Sequence, residues 1–305
     1  MQKIYGILIT LICAIVLSAC TMDPPDWAKT KRTIDPHHLR IGVSLSTLNN
    51  PFFVSIKDGI VQEAAKDNIQ VKIADAQNDS AKQNNDIEDL IQQGVDILLV
   101  NPVDSDAVSA AIVAANQADV PVITIDRAAN KSKVATFISS DNVDGGKMAA
   151  QFIVDKLGNH AVVAELQGIS GASATRERGQ GFHLIADKEL NVVASQAADF
   201  DRAKGLTVTE NLLQANDKIQ AIFAQNDEMA LGAVEAAKSA GKNILIVGFD
   251  GSADGIKAVK SGELSATIAQ QPELIGQKAV AISQKIANKE AVPATIHVQL
   301  QLVTK

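Results

Sequence analysis

From Leu39 onwards, short apolar segments alternate with longer segments in which apolar residues recur every three or four positions. The longer segments are typical of amphipathic helices, and in the stretch 51–66 the residues Phe53, Ile56 and Ile60 share one face. Several short segments are apolar throughout, as strands covered on both faces of a parallel sheet are. The predicted strands are 41–43, 71–74, 97–100, 122–125, 136–138, 161–166, 192–194, 221–224, 244–247 and 266–269.

The alternation of strands and helices predicts an α/β fold made of right-handed βαβ units. The strands fall into two groups of five, which indicates two Rossmann-like lobes with parallel central sheets, and 305 residues are enough to give each lobe a core. A helix over 272–289 and a last strand over 295–303 could complete either lobe. The pattern leaves open how many times the chain crosses between the lobes.

The N-terminal segment has the pattern of an export signal. Its apolar stretch, 4–17, is shorter than the roughly 20 residues of a membrane-spanning helix. The stretch ends in Leu17-Ser18-Ala19-Cys20, which resembles the lipobox of bacterial lipoproteins. We expect residues 1–19 to be a lipoprotein signal peptide and Cys20 to carry the lipid. An ordinary signal-peptidase site after Ala19 is the alternative.

Residues 20–37 are polar, contain three prolines and show no periodicity, so they predict a tether between the lipid anchor and the folded lobes. The protein would then be exported and held at the cell envelope by its lipid alone, in the periplasm or on the outer face of the plasma membrane.

Composition excludes several classes of function. With 28 Lys and Arg against 35 Asp and Glu, the net charge of -7 argues against a nucleic-acid partner. The two cysteines, Cys13 and Cys20, can build neither a disulfide framework nor a cysteine metal site. The stretch 168–171 does not match a Gly-x-Ser-x-Gly nucleophile motif. We predict no metal, no cofactor and no catalytic residue.

Polar and aromatic residues follow many of the predicted strands. Ligands of open α/β sheets bind beyond the carboxyl ends of the strands, so these residues are candidates for a site. Aromatic rings beside fixed donors and acceptors suit a small polyol, because its hydroxyls both donate and accept hydrogen bonds. Roughly five or six charge-assisted hydrogen bonds, each worth about 1.5–3 kcal/mol, could offset desolvation and leave micromolar affinity.

Five motifs lie at these strand ends: Asn49-Asn50-Pro51-Phe52-Phe53, Ile125-Asp126-Arg127, Arg176-Glu177-Arg178-Gly179, Gln225-Asn226-Asp227-Glu228-Met229-Ala230 and Val247-Gly248-Phe249-Asp250-Gly251. They resemble the periplasmic sugar-binding proteins that serve ABC transporters, and within that family the members that bind D-ribose. The resemblance runs from about Leu39 to the end of the chain. It implies the type I periplasmic binding protein fold, with a three-segment hinge between a first lobe (38–140 plus 271–299) and a second lobe (141–270 plus 300–305).

The resemblance also implies roles for individual residues. Hydrogen bonds to the ligand would come from Asn50, Asp126, Arg127, Arg178, Asn226, Asp250 and Gln270. Phe53 and Phe200 would sandwich the sugar ring, with Phe52 and Phe249 lining the pocket and Ser46 near its edge. The resemblance implies a monomer whose ligand is a monosaccharide, with D-ribose preferred. Its implied protein partners are a membrane ABC permease and, as a further candidate, a chemoreceptor. The lipobox departs from the many members that are freely periplasmic.

Each residue also has a structural interpretation. Asn50 could only cap the helix that starts at Pro51, Phe53 could be a core residue, and Asp250 could be a turn residue. The alternatives for function are capture of allose, galactose, xylose or a furanosyl signal, or a sugar-processing enzyme. A transcription regulator is disfavoured because the export signal stands where a DNA-binding motif would be expected.

Overall fold

A computed structural model of the protein describes residues 33–305. The predicted signal peptide, the lipidation at Cys20 and residues 20–32 of the predicted tether lie outside the described residues. Ile34, near the end of the predicted tether, packs against the hydrophobic core of the first sheet. Among residues 33–305, none of the helices is both long enough and apolar enough to cross a bilayer.

The described part of the chain alternates strands and helices. The strands are β1 (Arg40–Leu45), β2 (Gln70–Asp75), β3 (Ile97–Val100), β4 (Val122–Ile125), β5 (Thr136–Ser140), β6 (Val162–Gln167), β7 (Asn191–Ala197), β8 (Ala221–Ala224), β9 (Leu245–Asp250), β10 (Ala266–Ala269), β11 (Thr295–Val298) and β12 (Gln301–Thr304). The helices are α1 (Pro51–Lys66), α2 (Ser80–Gln92), α3 (Ser109–Gln117), α4 (Asn142–Leu157), α5 (Ser173–Glu189), α6 (Arg202–Ala215), α7 (Asp227–Ser239), α8 (Ala253–Ser261) and α9 (Pro272–Ala287).

These strands form two six-stranded sheets, in the orders β11-β5-β4-β3-β1-β2 and β12-β10-β9-β8-β6-β7. All neighbours in the first sheet are parallel. In the second sheet the other pairs are parallel, but β12 runs antiparallel to β10. The prediction of one last strand over 295–303 is wrong, since β11 pairs with β5 in the first sheet and β12 with β10 in the second.

Each sheet is covered by helices and has apolar clusters on both faces. The strands β3, β4 and β8 are buried at every position, as their continuous apolar sequences predict. The two sheets with their helices make two lobes, which confirms the predicted fold class.

The chain crosses between the lobes at three places: between β5 and α4, between β10 and α9, and between β11 and β12. Two of these crossings are tied together, because the Gln271 Nε2 donates to the Gln299 carbonyl oxygen at 2.9 Å. Three narrow connections between two packed bodies are suited to a hinge motion.

Helices α4 and α5 meet backbone to backbone. A Cβ atom on Gly146 of α4 would collide with the Arg178 carbonyl oxygen, and one on Gly181 of α5 with the Val143 carbonyl oxygen. Only glycine at these two positions lets the helices approach this closely, and the contact fixes the helix that carries Arg178.

Candidate functional site

A cavity lies between the lobes, at the carboxyl ends of the two sheets. Its wall is formed by Asn50, Phe52, Phe53, Asp126, Arg127, Ala174, Arg178, Phe200, Asn226 and Asp250. The first five belong to the first lobe and the other five to the second.

The N-terminus of helix α1 supplies one side of the cavity. Asn50 caps the helix, with its Oδ1 accepting from the Phe52 backbone N at 2.9 Å, and Pro51 opens the first turn. The Phe52 and Phe53 rings meet edge to face, with centroids 5.4 Å apart, and both side chains belong to the first-lobe core. Asn50 and Phe53 therefore combine their structural roles with a place on the cavity wall.

Asp126 and Arg127 follow β4. Asp126 has a φ of 63°, in the left-handed region, and its Oδ2 accepts from Asn101 Nδ2 at 3.3 Å and lies 3.7 Å from Arg127 Nε. Burial raises the pKa of Asp126, against the opposing effects of Arg127, Arg178 and Asn101. Burial also disfavours the charged form of Arg127 and lowers its pKa to about 10. Both groups are desolvated and hold each other in place.

Arg178 occupies the equivalent place in the second lobe. Its Nε donates to Asn142 Oδ1 at 2.9 Å and its Nη1 to the Gln225 carbonyl oxygen at 2.6 Å, while Nη1 lies 3.8 Å from Asp250 Oδ1. The guanidinium also stacks on the ring of Phe249. Burial lowers its pKa, and Asp250 is the main group that opposes this effect.

Asp250 and Asn226 complete the second-lobe side. Asp250 ends β9 with a φ of 120°, and Gln270 Nε2 donates to its Oδ1 at 2.9 Å. Burial raises the pKa of Asp250 well above its ordinary value. Asn226 caps α7, accepting from the Met229 backbone N at 2.9 Å. As at Asn50, a helix-capping asparagine lies on the cavity wall.

Two aromatic rings flank Arg127. Its guanidinium carbon lies 5.0 Å from the centroid of Phe53 in its own lobe and 5.3 Å from that of Phe200 in the other. Phe200 has a φ of 60°, and a side chain on Gly168 would collide with its ring. The second lobe thus leaves room at Gly168 for a ring that reaches the first lobe.

Three of the predicted site residues are not on the wall. Phe249 is fully buried beneath Arg178, and its predicted contact with the ligand stays a prediction. Gln270 Nε2 donates to Asp250 Oδ1 at 2.9 Å, and Ser46 is buried with its backbone N donating to Asn101 Oδ1 at 3.2 Å.

Several buried polar atoms at the site lack a hydrogen-bond partner among the described residues. They are Ser46 Oγ, Asp126 Oδ1, Arg127 Nε and Gln270 Oε1. Buried polar atoms are nearly always paired in native proteins, so unpaired ones mark where a ligand or ordered water is expected to bind.

Sequence reasoning missed Ala174 on the wall and the supporting residues Asn101, Asn142 and Gln225 as contributors to the site. Asn101 directly follows β3, so the rule that ligands bind at strand ends could have found it. Asn142 opens α4 two residues after β5, so the same rule could have found it. Gln225 lies in the recognised motif, and its side chain also bridges the Gly168 backbone N and Glu165 Oε1.

The lobes also bond to each other directly, beside the cavity. The Ser105 backbone N donates to the Gly171 carbonyl oxygen at 2.9 Å, and the Ser173 backbone N to Ser105 Oγ at 3.1 Å. The Ala128 backbone N donates to Ser173 Oγ at 2.9 Å. These contacts can exist only when the lobes are together, so the structure represents a closed arrangement.

The arrangement suits binding of a small neutral molecule with many hydroxyl groups. Asp126 and Asp250 are matched by Arg127 and Arg178, so no net charge is left for an ion to balance. Among residues 33–305, no group of three or more His, Cys, Asp or Glu is placed to hold a metal ion.

The family model of the periplasmic binding protein domain matches residues 41–291. The chain is 57% identical over 305 residues to the ribose import binding protein of Bacillus subtilis (strain 168), with 100% of both chains covered. It is 51% identical over 300 residues to the ribose import binding protein of Escherichia coli (strain K12), with 98% of both covered. A periplasmic solute binding protein of an ABC transporter from Actinobacillus succinogenes 130z, solved with bound D-allose, is 31% identical with a TM-score of 0.81, covering 87% of this chain and 97% of that one.

Proposed function

Because this chain belongs to the periplasmic binding protein family, we propose that it captures D-ribose between its two lobes and delivers the sugar to a membrane ABC permease. One observation carries the proposal. The two lobes share one cavity, to which each supplies at least one aromatic ring, an aspartate and an arginine. The names of the relatives that are more than half identical over nearly the whole chain support ribose as the ligand.

In the proposed complex the sugar ring lies between Phe53 and Phe200. Asn50, Asp126 and Arg127 bond its hydroxyls from the first lobe. Arg178, Asn226 and Asp250 bond them from the second lobe. Ser46 and Gln270 each have a side-chain oxygen without a partner among the described residues, and they are further candidates to bond the hydroxyls. Phe249 supports Arg178.

The proposed mechanism is closure about the hinge. A sugar bound to one lobe alone forms only half of the hydrogen bonds, so it binds the closed arrangement more tightly than the open one. This difference in affinity shifts the population towards closure. The permease would recognise the closed, loaded form.

Proteins of this family are exported. We propose further that residues 1–19 are removed and that Cys20 carries the lipid that anchors the protein to the envelope. Labelling of growing cells with radioactive palmitate tests this: the wild-type protein should incorporate label and Cys20→Ala should not. Label in both proteins, or in neither, would contradict lipidation at Cys20.

Titration calorimetry against D-ribose, D-allose, D-galactose, D-xylose and a furanosyl sugar tests the ligand. We expect micromolar affinity for D-ribose and recovery of the sugar unchanged, since the site is proposed to bind rather than to catalyse. Another sugar could bind while ribose gives no heat. The assignment of ribose would then be wrong, but the proposed capture of a monosaccharide would stand. D-allose is the second candidate ligand, because a solved relative has D-allose bound. Turnover would favour an enzyme, and no binding at all would refute the proposal.

Arg178→Ala tests the site itself. We expect the variant to lose at least about 2 kcal/mol of binding free energy, roughly 30-fold in affinity, because a buried charged donor is removed. Lys188→Ala, on the exposed last turn of the same helix, is the control and should bind normally. Unchanged affinity of Arg178→Ala would remove Arg178 from the site.

The predicted monomeric state is checked by analytical sedimentation of the protein. Contact with a chemoreceptor stays a prediction.

A further inference from the structure

Asp227 lies next to the cavity without lining it. It is the first residue of α7, directly after Asn226, and its side chain is 1% exposed. We propose that Asp227 is a positioning residue for sugar binding, whose carboxylate holds the turn after β9 so that Asp250 faces the cavity. This inference rests on the proposed function.

The carboxylate of Asp227 ties down the two residues that follow Asp250. Its Oδ2 accepts from the Ser252 backbone N at 2.7 Å. Its Oδ1 accepts from Thr267 Oγ1 at 2.7 Å, and that hydroxyl oxygen accepts from the Gly251 backbone N at 3.2 Å. Two consecutive backbone N–H groups are therefore fixed, one directly and one through Thr267.

The turn needs such a support because its backbone is strained. Asp250 has a φ of 120°, a conformation that non-glycine residues avoid, and Gly251 follows with a φ of 69°. Strained residues persist only where their surroundings hold them, and they concentrate at functional sites. If the turn relaxed, the Asp250 carboxylate would leave its place between Gln270 Nε2 and Arg178.

The surrounding chain is shaped for this one carboxylate. A Cβ atom on Gly248 of β9 would collide with Asp227 Oδ1, and one on Gly255 of α8 would collide with Oδ2. An apolar residue at position 227 could fill the space between Gly248 and Gly255 without the cost of burying a charge. Burial raises the pKa of Asp227 to about 6, against the hydrogen bonds from Thr267 and Ser252, so its ionised form is costly to keep. That cost favours a role in positioning over a purely structural one.

A double-mutant cycle of Asp227→Asn and Asp250→Asn tests whether Asp227 acts through Asp250. Affinity is measured calorimetrically for the sugar that the wild-type protein binds, up to millimolar concentration. We expect Asp227→Asn alone to weaken binding roughly tenfold, as the loss of a buried charged acceptor would. In the Asp250→Asn background it should change affinity less than about twofold, because residues that act as one unit are not additive. Additive losses, or normal affinity of Asp227→Asn, would overturn the inference.

Thr267→Val gives an independent measurement, also if Asp227→Asn fails to fold. It removes the hydroxyl that bridges Asp227 to Gly251 and nearly preserves volume, so it should weaken binding severalfold. Thr209→Val is the matched control, because Thr209 is equally buried and its Oγ1 has no partner among the described residues. Equal affinities of the two valine variants would overturn the inference. A wild-type protein that binds no sugar would instead refute the proposed function, and the inference with it.

Discussion

The guanidinium carbon of Arg178 lies 3.8 Å from the centroid of the Phe249 ring. The ring is fully buried, so it forms an apolar floor on which the charged group rests while Asn142 and Gln225 accept from its nitrogen atoms. Arginine stacked on an aromatic face is stabilised by the cation–π interaction, and more strongly when water is excluded. The orientation of this proposed sugar contact therefore depends on a residue that does not line the cavity.

Replacing Phe249 by Leu should weaken sugar binding roughly fivefold to tenfold, because the loss of about 1 kcal/mol or more of cation–π energy lets Arg178 move away from its stacked position. Calorimetry measures the affinity. The control is Phe182→Leu, which alters a ring in the same core cluster that stacks on Phe223. Both variants should lose similar thermal stability, but only Phe249→Leu should bind more weakly. Equal affinities would show that Phe249 is only a core residue.

The contacts between the lobes should contribute to affinity without touching the sugar. Ser173→Ala removes the acceptor for the Ala128 backbone N, a bond made only in the closed arrangement. Losing about 1 kcal/mol from the closed form alone should raise the dissociation constant about fivefold. Ser109→Ala, which removes a hydroxyl without a partner among the described residues, is the control. The idea fails if Ser173→Ala binds as tightly as this control.

Closure also requires a small residue at Gly171. A Cβ atom there would collide with Asp104 Oδ2 of the opposite lobe. Gly171→Ala should therefore weaken binding while leaving the melting temperature of the sugar-free protein nearly unchanged. Adding Asp104→Ala should restore part of the affinity, because it removes the colliding group. No rescue in the double variant would argue that the alanine acts within its own lobe.

The sugar-free protein should become more stable as the pH falls from 7 to 5. Asp227 has a pKa of about 6 in the folded protein against an ordinary value of 3.8, so the folded form binds a proton that the unfolded form releases between these values. The cost of the buried carboxylate is present above pH 6 and is relieved as the pH falls through it, by about 1 kcal/mol between pH 7 and 5. Asp126 and Asp250, whose pKa values burial also raises, act in the same direction.

Thermal unfolding of the wild-type protein and Asp227→Asn at several pH values isolates this contribution. The variant lacks the titrating group, so it should gain less stability than the wild type on acidification. Parallel pH profiles of the two proteins would contradict the raised pKa.

Much of the fold follows from apolar pattern. Strands such as β3 and β8 are buried on both faces, and an unbroken apolar sequence predicts that directly. The last strand was predicted wrongly, because the apolar pattern indicates an extended chain but not which strand it pairs with. Thr295–Val298 and Gln301–Thr304 are each short, and their pairing partners lie far away in sequence.

The candidate site follows from position at the strand ends. Asp126 directly follows β4 of the first sheet and Asp250 ends β9 of the second, and they meet because the carboxyl ends of both sheets face one cavity. For Phe249 the position alone is not decisive, because side chains alternate between the two faces along a strand. It shares a face of β9 with Val247 and joins it in the core. Asn142 opens α4 two residues after the end of β5, so the strand-end rule covers its position as well.

Because helices α4 and α5 touch backbone to backbone at Gly146 and Gly181, no layer of side chains between them can slide or compress. Helices α4 and α5 should therefore move as one body, which carries Arg178. Ligand specificity could therefore change in a related protein through substitutions at the strand ends. It could also change through a different hinge opening at the three connections. Neither change requires the helical scaffold to alter.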